Sequence, residues 1–189
     1  MPVIEKYLKS ELNVDVIEGK PFVSYGQAGQ FVAEILEEDR ARAPFTILGL
    51  EQKITADFHG YALSGMIDRI DLVKNGAGED IVRIVDYKTG RYFAEDIQPR
   101  DGVTVEKAFD EPDSSFWPKI SIQLFIYGYL WRSLKDGRTK VYIKDAAGRE
   151  VESAERKAEL LKYAGCKYAN SIYCPYMLKA QRNDRISSS

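Results

Sequence analysis

Two aspartates and a lysine are the residues of this sequence best suited to chemistry. Asp86 and Lys88 stand two positions apart in an apolar, β-branched run, and side chains at i and i+2 of a strand share one face. A carboxylate and an ammonium at a strand end are costly to bury unless they pair or meet a ligand. If Asp68 lies across a hairpin from them, two carboxylates and one lysine converge. That set suits a divalent metal with a phosphate bound to it.

Two strands joined by a turn are predicted to position these residues. The first covers residues 63–72 and the second residues 81–88; both are rich in apolar residues, and the second has a strong β-branched run. Residues 75–78 read Asn-Gly-Ala-Gly, which tolerates the positive φ of hairpin turns. A β-hairpin is therefore expected here.

The order of the motifs resembles a known family. Residues 65–71 read G-M-I-D-R-I-D and residues 86–90 read D-Y-K-T-G, which resembles the PD-(D/E)XK nuclease superfamily, specifically its RecB-like nuclease domain found in helicase–nucleases. Glu51 stands where that family has a metal-binding or metal-positioning glutamate. Gln123 and Tyr127 match its Q-x-x-x-Y helix. D-x-K alone is a weak signal, but the ordered set is specific.

The resemblance implies an α/β fold with a restriction-endonuclease-like core, a mixed central β-sheet flanked by helices. The sequence itself suggests the order helix, three strands, helix, strand (αβββαβ). The length of 189 residues favours a single domain over 1–189. The sequence lacks the phosphate-binding loop of a helicase, so we expect a domain excised from a longer helicase–nuclease subunit, with 187–189 as a disordered tail.

The activity that the resemblance implies is metal-dependent DNA cleavage, as an exonuclease of DNA repair and recombination. Mg²⁺ or Mn²⁺ would be the cofactor, and Lys88 would orient the attacking water and offset charge on the transition state. The implied residues are Asp68, Asp86, Lys88 and Glu51 as the catalytic set, Asp68, Asp86, Glu51 and the Tyr87 backbone carbonyl as metal ligands, and Gln123 with Tyr127 as the DNA-positioning pair.

One position departs from the family pattern. Relatives often carry a metal-binding histidine in a G-x-x-x-H helix, and residues 26–30 of this sequence place Gln30 there. Glutamine is a poorer metal ligand than imidazole. A catalytically inactive nuclease-fold domain that binds DNA or a helicase partner is therefore the alternative. The intact carboxylate–lysine cluster argues against it, because such a cluster is costly to keep without a function.

Three other stretches carry expectations. Arg69 and Asp71 share a strand face and predict an ion pair worth under about 1 kcal/mol, outside the catalytic set. Residues 91–119 form a long connection that could be a lid, a DNA-entry loop or a docking segment. A charged helix is expected over residues 153–168, beginning at a Ser153 cap.

Composition excludes several other classes of protein. Two cysteines are too few for a disulfide scaffold, and no four-cysteine iron–sulfur cluster is expected. The sequence has no apolar run of about 20 residues and no signal-peptide core, so we expect no membrane partner and a cytoplasmic location. The net charge of −2 does not exclude DNA, because 27 Lys and Arg can form a local basic groove. DNA is the expected partner, with a helicase domain or subunit as a second.

Overall fold

The computed structural model describes residues 2–13, 15, 20–90 and 118–173. The chain divides into two compact units, residues 1–44 with 173–189 and residues 45–172. In the first unit, helix α1 (Pro2–Leu12) and helix α2 (Lys20–Arg42) contact each other. The single domain over 1–189 and its excision from a longer subunit stay predictions. The tail at 187–189 and most of the 91–119 connection lie outside the described residues.

Two successive β-hairpins form the centre of the second unit. Strands β1 (Thr46–Phe58), β2 (Tyr61–Lys74) and β3 (Asp80–Tyr87) pair antiparallel in chain order. The β2–β3 hairpin predicted from the sequence is confirmed. Its loop is held by Asn75, whose side-chain oxygen accepts the backbone N–H groups of Ala77 and Glu79, each at 2.9 Å.

Three further strands complete a mixed six-stranded sheet. They are β4 (Lys140–Lys144), β5 (Glu150–Glu152) and β6 (Lys167–Tyr173), and the strand order is β5-β4-β1-β2-β3-β6. Helix α3 (Lys119–Arg132), a short 3₁₀ turn (Ser133–Lys135) and helix α4 (Ala154–Leu161) flank the sheet. The predicted α/β class, with a helix preceding a mixed sheet flanked by helices, is confirmed and is consistent with a restriction-endonuclease-like core.

Helix α4 is shorter than the sequence predicted. Its Ser153 cap is confirmed, since the Ser153 hydroxyl accepts the Arg156 N–H at 3.1 Å. The helix nevertheless ends at Leu161, and β6 begins at Lys167. A place at the sheet edge beside β3 overrides the helical pattern of that stretch.

The core of the second unit lies between the sheet and α3. It is built from fully buried side chains of both layers, chiefly Ile54, Ile67, Ile84, Leu130 and Trp131. Burying a large apolar side chain contributes roughly 1.5–3 kcal/mol, so these contacts fix α3 against the sheet. The same contacts fix the polar residues at the start of α3.

None of the helices among the described residues combines the length and apolar character needed to cross a membrane.

Gly65, the first residue of the G-x-x-D motif, allows α3 to approach β2 closely. A Cβ atom at this position would stand 2.7 Å from Leu130 Cδ1 and 3.3 Å from Tyr127 Cε1. We expect Gly65→Ala to lower the free energy of unfolding by about 1–3 kcal/mol through overpacking, measured by urea denaturation. Gly76→Ala is the matched control, because nothing lies within 4 Å of a Cβ there. Equal stability of the two variants would contradict this packing.

Candidate active site

The register of the β2–β3 hairpin places Asp68 beside the end of β3. The last backbone pair on this side is Arg69 with Val85, and one step further along the same register Asp68 stands opposite Asp86. The Asp68 carboxylate accepts the Tyr87 backbone N–H at 2.8 Å. The hairpin therefore brings the two predicted aspartates together.

Asp86 is a buried carboxylate that is paired with a lysine. Its side chain is 1% exposed, and the Lys88 ammonium lies 2.7 Å from its Oδ2. This ion pair is the contact that the structure shows for the buried Oδ2 atom. Burial raises the pKa of Asp86; Lys88 offsets this only in part, and the charge of Asp68 raises it further. Such a carboxylate favours an added cation.

Lys88 connects this carboxylate with helix α3. Its ammonium donates to Gln123 Oε1 at 2.6 Å, and the Gln123 amide donates to the Tyr127 hydroxyl at 2.7 Å. The i, i+4 stacking of Gln123 and Tyr127 predicted from the sequence is confirmed as this hydrogen bond. Burial raises the pKa of Tyr127, and the charges of Asp86 and Asp68 add to the shift. The pair on α3 therefore faces the two carboxylates.

Glu51 stands opposite Asp68 along the backbone, but its side chain turns away. Its neighbours pair as Leu50 with Arg69 and Gln52 with Ile67, which places Glu51 between them, across from Asp68. Glu51 has a φ of +44°, a left-handed conformation that is strained for this residue type.

The Glu51 carboxylate contacts Lys144 of β4 at 2.7 Å, and the side chain is 68% exposed. The hydrogen bond and charge of Lys144 lower the pKa of Glu51. Among the described residues, Glu51 does not join Asp68 and Asp86 in a group of three acidic side chains close enough to hold a metal. The site role of Glu51 stays a prediction.

Comparison with protein families agrees with this constellation. The model of the PD-(D/E)XK nuclease superfamily matches residues 24–178. This chain belongs to the PD-(D/E)XK nuclease superfamily. Comparisons with curated proteins and with solved structures gave no match. Membership of the superfamily implies a phosphodiester-cleaving nuclease fold and a nucleic-acid substrate.

Gln30, the last residue of the stretch at 26–30 that the sequence analysis compared with a G-x-x-x-H pattern, belongs to the first unit. It lies on α2, where its side-chain amide donates to Glu34 Oε1 at 3.3 Å. Its side chain is exposed. A role for Gln30 in metal binding stays a prediction.

The ion pair of Arg69 and Asp71 is buried, which the sequence did not predict. They share a face as expected, but Asp71 is 0% exposed and Arg69 is 3% exposed, so the magnitude of a surface ion pair does not apply. Arg83 of β3, a residue that the sequence did not single out, joins them: its Nη2 donates to Asp71 Oδ2 at 2.8 Å. The ring of Phe45 covers both guanidiniums at 5.1–5.2 Å.

The donor atoms at this site fit a hard, hydrated divalent cation. Among the residues that the structure describes, no group of three or more His, Cys, Asp or Glu side chains lies close enough together to hold a metal. The pKa of the buried Asp86 carboxyl is raised even with Lys88 beside it, and the charge of Asp68 adds to the shift. Mg²⁺ typically takes one or two protein carboxylates and keeps several waters, so this small donor set suffices.

Proposed function

We propose that this protein is a RecB-like deoxyribonuclease that uses Mg²⁺ or Mn²⁺ to hydrolyse phosphodiester bonds. The observation that carries the proposal is the buried Asp86 carboxylate, which has Asp68 beside it and one lysine at 2.7 Å. Two carboxylates with a single nearby ammonium create a site that gains from a divalent cation and its bound phosphate. Membership of the superfamily supports the same chemistry.

Each residue then has a defined part in hydrolysis. Asp68, Asp86 and the backbone carbonyl of Tyr87 would hold the cation, which supplies polarisation of the phosphodiester and a bound water of lowered pKa. Lys88 would turn its ammonium from Asp86 towards the attacking water and the growing phosphate charge. Gln123 accepts from Lys88 and so limits where that ammonium can point. The Tyr127 hydroxyl restrains Gln123 in turn, which leaves the pair positioned towards the DNA strand.

More specifically, the proposed protein is an exonuclease of DNA repair and recombination. It works with a helicase domain or subunit in the cytoplasm. Its support is the motif order shared with RecB-like domains of helicase–nucleases, together with the absence of a helicase phosphate loop from this sequence. Two cysteines agree with a reducing compartment.

The second candidate function is a nuclease-fold domain that binds DNA without cutting it. Two observations favour it: Gln30 replaces the family histidine, and the Glu51 side chain is paired with Lys144 rather than with the aspartates. A DNA cleavage assay distinguishes these two candidate functions.

The deciding experiment incubates the wild-type protein with fluorescein-labelled single- and double-stranded DNA in Mg²⁺, in Mn²⁺ and in EDTA. We expect product in either metal and none in EDTA. A stable DNA complex with no product in either metal would support the binding candidate instead. A result with no cleavage product and no DNA complex would contradict both candidate functions.

Glu51 is tested by comparing Glu51→Gln with Glu150→Gln. Glu150 is the matched control, because its carboxylate pairs with Lys53 close to the Glu51–Lys144 pair and lines the same cavity of about 210 Å³. If Glu51 reaches the metal directly or through a water, we expect Glu51→Gln to lower the cleavage rate about 10–100-fold, as loss of a metal-supporting group does. Glu150→Gln is expected to cleave as the wild type does. Equal rates would remove Glu51 from the catalytic set.

A further inference from the structure

Tyr87 is the last residue of β3 and lies beyond the last backbone pair that joins this strand to β2. It separates Asp86 from Lys88, and the last backbone pair between β2 and β3 is Arg69 with Val85. Its backbone N–H donates to the Asp68 carboxylate instead of to a backbone carbonyl of β2. On the β2 side, the orientation of this peptide, to which Asp68 is hydrogen-bonded, therefore depends in part on the contacts of the Tyr87 side chain.

Arg69 fixes that side chain from the β2 strand. Its Nη1 donates to the Tyr87 hydroxyl at 2.7 Å, and its guanidinium lies 5.6 Å from the centre of the Tyr87 ring. A guanidinium has a planar, rigid arrangement of donors, so a hydrogen bond to it restricts the hydroxyl in direction as well as in distance.

Arg69 is itself held rigidly. Its Nε and Nη2 contact Asp71 Oδ2 at 3.1 and 3.0 Å, and Phe45 covers its face at 5.2 Å. Because Arg69 is 3% exposed and Asp71 is 0% exposed, solvent cannot screen this pair as it screens a surface ion pair. A chain of contacts therefore runs from Asp71 through Arg69 and Tyr87 to Asp68.

We propose that Arg69 is a positioning residue of the metal site. Held by Asp71, it fixes the Tyr87 side chain, and Tyr87 in turn fixes Asp68 through its backbone N–H and orients its own carbonyl. The Arg and second Asp of the D-R-I-D motif act through this chain and do not touch the reacting atoms. The identity of the cation rests on the proposed function above.

The test compares Tyr87→Phe with Tyr129→Phe. Both substitutions remove one hydroxyl and keep the ring. Tyr129 is the matched control because its hydroxyl also makes a short hydrogen bond. It donates to the backbone carbonyl of Asp57 at 2.6 Å and not to a residue of the site. Two properties are measured: hydrogen exchange at the residue 87 amide by NMR in metal-free buffer, and the affinity for Mn²⁺ by calorimetry.

We expect Tyr87→Phe to speed exchange at the residue 87 amide at least about 10-fold and to weaken Mn²⁺ binding about 10–100-fold, the range for outer-shell groups of metal sites. Tyr129→Phe is expected to change neither property, even where it lowers thermal stability equally. Wild-type exchange at residue 87 in Tyr87→Phe would overturn the inference, and so would an equal loss of Mn²⁺ affinity in Tyr129→Phe. Failure of the wild type to bind Mn²⁺ would count against the proposed function, whereas the metal-free exchange result would still decide the positioning role.

Discussion

Asp86→Asn is expected to lose DNA cleavage by at least about 10²–10³-fold, the loss for one preorganised charge-stabilising group, and to unfold at a higher temperature than the wild type in metal-free buffer. Cleavage falls because the buried carboxylate that would hold the cation is gone. Stability rises because asparagine has no charge to bury. The two effects have opposite signs and one cause.

The dependence on pH follows from the direction of the pKa shift. Burial raises the pKa of Asp86 above 3.8 in the folded protein, so the folded state binds the proton more tightly than the unfolded state does. The wild type therefore loses stability as the pH rises from about 3.8 through the raised folded pKa, and the loss is complete above that pKa. The difference in stability between Asp86→Asn and the wild type should be small below about pH 3.8 and should reach its full size above the raised pKa of Asp86.

Thermal unfolding across a pH series measures this difference, and adding Mn²⁺ should then raise the midpoint of the wild type but not of Asp86→Asn. Asp136→Asn is the control, because the pKa of Asp136 is shifted in the opposite direction to that of Asp86. The backbone N–H of Arg138 lowers it. That variant should cleave normally and gain no stability at neutral pH. Normal cleavage by Asp86→Asn, or a lower metal-free midpoint, would refute the assignment of Asp86.

Local spacing was enough to predict much of the site. The period of two along a strand places Asp86 and Lys88 together, and the structure has them in contact at 2.7 Å. The i, i+4 spacing on a helix places Gln123 by Tyr127, and the two are hydrogen-bonded. Both inferences depend only on residues close in sequence, where backbone geometry leaves few choices.

Contacts between strands depend on register, and residue types in a turn do not fix register. The Asn-Gly-Ala-Gly stretch is compatible with a four-residue turn, which would place Asp68 opposite Val85. The observed loop has five residues, 75–79, between the pair Lys74 and Asp80, and the Asn75 side chain closes it. That single extra residue places Asp68 opposite Asp86, because a one-residue slip moves every side chain to the other face.

The left-handed backbone at Glu51 had no signal in the sequence. Glutamate in a strand is expected to have a negative φ, and only the packed structure can hold it at +44°. The cross-sheet partner Lys144 lies 93 positions further along the chain, a distance at which no local pattern predicts a contact. Strain of this kind is common at functional sites, and it makes Glu51→Gln worth testing.

Asp71→Asn is expected to give the largest loss of stability, about 3–5 kcal/mol, the cost of breaking a buried ion pair by removing one partner. Asp71 accepts from Arg69 and Arg83, and all three side chains are at most 8% exposed. Total stabilities of folded domains are about 5–15 kcal/mol, so the variant should have a much lower urea midpoint. Asp80→Asn is the control, since its pair with Lys74 is exposed and should cost under about 1 kcal/mol.

Replacing the whole cluster separates stability from function. The variant Arg69→Met with Asp71→Leu and Arg83→Met removes the three charges of the cluster together, and such exchanges are often neutral or stabilising by about 1–4 kcal/mol. We expect the triple variant to regain the stability that Asp71→Asn loses but to bind Mn²⁺ weakly, because a methionine side chain at position 69 has no donor for the Tyr87 hydroxyl. Recovery of both properties would show that the cluster serves the fold alone. If the triple variant is as stable as the wild type but binds Mn²⁺ weakly, the cluster adds no net stability and acts by orienting Tyr87, which lies between Asp86 and Lys88.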